Sequence, residues 1–135
     1  MANIFSKIFQ KESKLKKSGL LDQKSDVHSH ILYGVDDGVQ TLEESLKILE
    51  KLEDLGFETL WCTPHIMEDI PNETNFLQER FSQLKQAYKG SIQLNLAAEY
   101  MIDTVFNKRL LDKDLLPHGE LKNHLLVETS YFNPP

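Results

Sequence analysis

Two histidines and three acidic residues fall within Asp26–Gly38, the thirteen residues DVHSHILYGVDDG. Imidazole and carboxylate are ligands that suit divalent Zn, Mn or Fe. With residues 25–31 as a strand, side chains two apart share a face, which puts Asp26, His28 and His30 in one row. Two imidazoles about 7 Å apart along a strand converge on one ion where the strand twists or ends. Gly34 and Gly38 then bracket a turn holding Asp36 and Asp37, a second set of oxygen donors. The plain alternative is a solvated histidine pair followed by an ordinary Asp-Gly turn.

The flanking sequence supplies elements able to aim these residues. Thr41 with Glu44 reads as a capping box, and Leu42, Leu46, Leu49, Leu52 and Leu55, with Ile48, follow helical spacing as a core stripe until Gly56. Glu43, Glu44, Glu50, Glu53 and Asp54 read as the solvated face. Phe57–Thr63 is a short apolar, β-rich run stopped by Pro64. Asn75–Lys89 predicts a second helix with Phe76, Leu77, Phe81, Leu84 and Tyr88 buried, and residues 91–98 a third strand running into Glu99. Val105–Leu111 predicts a third helix, and Leu125–Thr129 a fourth strand. Strands alternating with helices across short connections imply an α/β fold with a parallel sheet, either doubly wound or a β/α barrel. Barrels usually need ~250 residues. At 135 residues, ending just after a strand, the chain reads as the truncated front half of one.

Working residues in such folds sit at the carboxyl ends of parallel strands. Here the first strand ends near His28 and His30, the second at Thr63-Pro64-His65, and the third at Ala98-Glu99. If the strands are parallel, all lie at one edge, and a carboxylate between imidazole sites can bridge two ions. Asp26, on the same strand face, could orient a ligand histidine. Cys62 lies in an apolar strand, and Glu68 stands six positions later, where a cysteine-based phosphate loop would need arginine. It reads as a buried structural thiol.

These residues carry a family resemblance. DVHSHILYGVDDG, then LEESLKILEKLEDLGFETLWCTPHI and AAEY, resembles the PHP (polymerase and histidinol phosphatase) superfamily. Within it, the chain is similar to the CpsB/YwqE-type protein-tyrosine phosphatases of bacterial capsule and exopolysaccharide operons. The resemblance spans about residues 25–135. It implies a distorted, TIM-like β/α barrel, present here as about four β/α units of an incomplete barrel. It also implies a multinuclear cluster of divalent ions (Mn, Fe or Zn), and hydrolysis of phosphotyrosine on the tail of a bacterial tyrosine kinase that controls polysaccharide export. By position, His28, His30, His65 and Glu99 match the family's ligands and catalytic residues, with Glu99 the bridge. Asp37, more than Asp36, matches the acidic ligand after the paired histidines. The family's later ligands, a histidine in an HPER-like segment and a closing aspartate and histidine, have no counterpart here. His118 and His124 do not stand in those contexts and read as loop or surface residues. The full-length protein is therefore expected to be a phosphatase, with assembly of the whole cluster by these 135 residues left open. Two other readings stand beside it: another PHP phosphoesterase such as histidinol phosphatase, and an inactive truncated binding module.

Charge divides the chain in two. Residues 1–17 hold five lysines against Glu12, while the remainder holds ten basic and twenty acidic residues, for a net −6 overall. An acidic body argues against nucleic acid as a partner. In residues 1–24, Ile4, Phe5, Ile8 and Phe9 fall on one side of a helical projection with lysines around it. Such a basic amphipathic segment could lie on an anionic membrane, dock on a partner, pack on the domain or remain a tail. Residues 25–135 form the remaining unit. One cysteine and no apolar run of the ~20 residues that span a bilayer point to the cytoplasm, if anywhere near a membrane then at its inner face. A half-barrel would expose its last strand's edge, so instability or self-association, for example as a homo-oligomer, is expected.

Overall fold

The computed structural model describes residues 14–131. Its elements follow one another as β1 (Lys24–Ser29), α1 (Leu42–Asp54), β2 (Phe57–Cys62), β3 (His65–Ile66), α2 (Thr74–Ala87), β4 (Gln93–Leu96), β5 (Glu99–Met101), α3 (Thr104–Asp112) and β6 (Leu126–Glu128). Residues 14–18 are helical as well. The apolar stripe of Ile4, Phe5, Ile8 and Phe9 lies outside the described residues.

All strand pairs are parallel. They make two three-stranded sheets, ordered β1-β2-β4 and β3-β5-β6, and no closed barrel forms among the described residues. The second and third strands expected from sequence are each followed, at the same level, by a further short strand, β3 and β5. At Thr63-Pro64, proline has no N–H to give the ladder. Ala97 N–H reaches the Cys62 carbonyl at 3.0 Å, while Ala98 N–H turns instead to the Leu116 carbonyl at 3.2 Å. Beyond the break the ladder resumes with His65 opposite Glu99, and Glu99 opposite Leu126. The interruption therefore falls where the candidate ligands begin.

The first strand is shorter than expected. Register shifts after Asp26, and pairing ends at Ser29 opposite Cys62. The next two carbonyls find partners outside the sheet: His30 accepts from Val39 N–H at 3.0 Å, and Ile31 from the buried Ser45 hydroxyl at 2.6 Å. A strand that ends there frees His30 to turn toward His28.

The helices form as their sequence requires. Glu44 N–H donates to Thr41 Oγ1 at 3.3 Å, and Glu44 Oε2 accepts the Thr41 N–H at 3.1 Å, the reciprocal capping box that starts α1. Gly56 follows the helix at φ +102°, a conformation that glycine enters without steric cost. Asp103 Oδ1 caps α3 through Phe106 N–H at 2.9 Å. Leu49 from α1 and Leu77 and Leu84 from α2 pack with Leu60, Cys62, Leu94 and Leu96 of the sheet. Phe76 departs from the expected stripe. It stays 38% exposed, with the Arg80 guanidinium over its ring and over that of Tyr33. On the other flank β6 is an edge strand, and Val127 is half-exposed.

Candidate metal centre

The end of β1, the start of β3, the start of β5 and the end of β6 deliver His28 and His30, His65, Glu99 and Glu128 to one place. Glu99 is the hub. Its Oε2 lies 3.0 Å from His28 Nε2, 3.1 Å from His30 Nε2 and 3.4 Å from His65 Nδ1. The two Nε2 atoms are 3.3 Å apart, and Glu128 Oε1 is 3.3 Å from His65 Nδ1. Asp37 reaches in from the turn, with Oδ1 3.6 Å from His65 Nε2. The sequence-identified residues His28, His30, Asp37, His65 and Glu99 are thus brought together.

Asp36 and Asp37 behave differently although adjacent. The Asp37 side chain is 76% exposed, whereas that of Asp36 is fully buried. Asp36 Oδ2 accepts from His30 Nδ1 at 2.9 Å and from the His65 backbone N–H at 3.0 Å, and Oδ1 accepts from Gly38 N–H at 2.9 Å. A Cβ at Gly38 would strike the His30 carbonyl and Cβ, so glycine is required for that approach. Burial pushes the Asp36 carboxyl up, but the hydrogen bonds from His30, Gly38 and His65 outweigh it and hold it below its usual value. The bond to Asp36 in turn raises His30, against burial and with help from the charges of Asp36, Glu99 and Asp37. Asp26 does not orient an imidazole. Its Oδ1 takes the His28 backbone N–H at 3.2 Å, two residues along its own strand.

The donor chemistry fits a cation. In neutral His30 the Nδ1–H is committed to Asp36, so Nε2 carries a lone pair toward a carboxylate oxygen and another imidazole nitrogen. Lone pairs so placed repel unless a proton or a metal lies between them. His65 Nδ1 is buried without a hydrogen bond, even though carboxylate oxygens from two strands lie within 3.4 Å. Three overlapping groups could each hold an ion: His28, His30 and Glu99; His30, Asp37 and His65; and His65, Glu99 and Glu128. His30, His65 and Glu99 each belong to two of them. Imidazole with carboxylate suits Zn, Mn or Fe.

Sequence reasoning missed Glu128. It is the penultimate residue of the expected fourth strand, Leu125–Thr129, so the strand-end rule that selected His65 and Glu99 would have found it. His118 and His124 are in none of the three groups. Cys62 is fully buried, and burial first, then the charge of Asp26, push its thiol up to about 12. It is no nucleophile at neutral pH.

The family model for capsular polysaccharide synthesis proteins, CpsB/CapC, matches residues 24–134. The chain belongs to this family. A tyrosine-protein phosphatase CpsB of Streptococcus agalactiae is 34% identical over 79 residues, covering 50% of this chain and 32% of that protein. The Streptococcus pneumoniae CpsB is 31% identical over 113 residues, covering 78% of this chain and 44% of that protein. A putative tyrosine-protein phosphatase CapC of Staphylococcus aureus is 24% identical over 107 residues, covering 76% and 42%. The chain thus spans less than half the length of these CpsB/CapC relatives. Among the described residues, no helix is long and apolar enough to cross a membrane.

Proposed function

We propose that this chain carries the N-terminal part of a metal-dependent protein-tyrosine phosphatase on a PHP-type β/α barrel. Its substrate would be phosphotyrosine in the tail of a bacterial tyrosine kinase that regulates capsular or exopolysaccharide synthesis. The observation that carries this reading is the overlap of three ligand groups, linked by His30, His65 and Glu99, within a family whose relatives are named tyrosine-protein phosphatases. Residues 25–135 would form the barrel portion and residues 1–24 a separate basic segment. The enzyme would work in the cytoplasm, with that segment available for contact with the inner membrane face. Self-association would use the open β6 edge.

His28, His30, Asp37, His65 and Glu99, joined by Glu128, would hold the ions. Divalent cations held there supply neutralisation of the phosphate charge and a water acidified toward a pKa near ~7. The chain's own part is to place that charge. With twenty acidic against ten basic residues beyond residue 17, the body would repel a phosphate dianion without bound cations. Glu99, between His28, His30 and His65, holds the groups close enough to act on one phosphate. Phosphoryl transfer depends mainly on such positioning and electrostatic stabilisation. Tyrosinate, with a parent pKa near ~10, leaves with less help from a general acid than an alkoxide does.

The test is hydrolysis of a phosphotyrosine peptide by the whole protein, with metal content measured in parallel. Chelator should abolish turnover, and His28→Ala with His30→Ala should remove metal and turnover together. Turnover that survives either treatment would sink the mechanism.

A further inference from the structure

We infer that Asp36 is a positioning residue that fixes the tautomer of His30 and its spacing from His65, with Asn72 bracing the same two loops from behind. The inference rests on the metal-centre reading above and assigns Asp36 a role other than ligation. Its carboxylate is fully buried and points away from solvent, unlike that of Asp37. All three hydrogen bonds it accepts are internal. Two of them, from the His30 ring and the His65 backbone, converge on the single atom Oδ2.

The consequence is chemical as well as mechanical. A proton held on Nδ1 leaves Nε2 bare, and Nε2 is the atom that faces Glu99 and His28. A carboxylate in this position orients a ligating imidazole and raises its basicity. Through the His65 N–H, the same oxygen ties the loop after β1 to the start of β3. His30 and His65 between them belong to all three ligand groups, so this one carboxylate bears on each.

Asn72 completes the brace. Its side-chain amide donates to the Val35 carbonyl at 2.8 Å and to the His65 carbonyl at 3.0 Å. Val35 directly precedes Asp36, so the two loops are pinned on both sides of the ligand pair. The Asn72 carbonyl is itself held at 2.7 Å by the buried guanidinium of Arg109. That links the brace to α3, away from the ligands.

The test uses the whole chain. Imidazole nitrogen NMR of the metal-free protein, at a pH where His30 is neutral, should show the Nδ1–H tautomer. Asp36→Ala should move His30 to the Nε2–H tautomer and weaken Zn²⁺ binding by about 10- to 100-fold, as loss of a supporting partner does elsewhere. Asn72→Ala should leave the tautomer unchanged and weaken Zn²⁺ by a smaller factor. A merely structural carboxylate would not move the tautomer. An Nε2–H tautomer in the wild type would overturn the inference without any variant, and so would unchanged Zn²⁺ affinity in a folded Asp36→Ala protein. If the wild type shows the Nδ1–H tautomer yet binds no Zn²⁺, the metal-centre reading fails while Asp36's hold on the ring stands.

Discussion

At the carboxyl ends of the strands, His28, His30 and His65 surround Glu99. In the hairpin after α3, His118 and His124 instead pair through their backbones, at 2.8 and 3.3 Å. The His118 ring lies on Trp61 at 4.0 Å between centroids, its Nε2 donates to the Val27 carbonyl at 2.8 Å, and Lys122 covers the same indole. In that second arrangement the two backbones, the His118 ring and its Nε2 all find protein partners. In the first, nitrogens face carboxylate oxygens and one another, and His65 Nδ1 has no hydrogen bond. The difference separates a packed histidine from a candidate ligand more sharply than residue type does, since both regions hold paired histidines.

The comparison can be broken most decisively at its centre. Replacing His28 and His30 with alanine should lower Zn²⁺ affinity by more than the ~100-fold that loss of a supporting partner costs, whereas replacing His118 and His124 should leave it unchanged by calorimetric titration. Glu128→Gln comes next, with roughly a tenfold or greater loss expected from a donor shared with His65 and Glu99. Equal affinity in that variant would remove β6 from the site. On the hairpin side, His118→Ala should cost about 0.5–1.5 kcal/mol in denaturant unfolding, the scale of one hydrogen bond or one ring contact. The smallest effect belongs to Cys62. With its thiol pushed up to about 12, iodoacetamide at pH 8 should leave the native chain unlabelled and its metal binding intact. Rapid labelling of folded protein would contradict the buried placement.

Much of this was legible from spacing. The capping box at Thr41 and Glu44, the leucine stripe and the strand-helix alternation are local signals, and local chemistry decides them. The gathering of the candidate residues was legible because parallel strands put their carboxyl ends at one edge, so the strand order alone sets His65 and Glu99 beside His28. Three things were hidden. The bulge after Asp26 depends on pairing with β2, which no alternation in β1 reveals. The division of labour between Asp36 and Asp37 depends on which side of a tight turn faces the protein, and adjacent identical residues carry no such mark. Phe76 fits the helical period, yet its burial depends on what lies across from it, and there the Arg80 guanidinium lies over its half-exposed ring.

The most direct measurement is elemental analysis of the purified chain after exposure to Mn²⁺ or Zn²⁺ and removal of free ion. More than one equivalent should be retained by the wild type and by the His118→Ala, His124→Ala protein, and lost from the His28→Ala, His30→Ala protein. Metal retained equally by all three, or by none, would contradict the reading of the strand-end histidines as ligands.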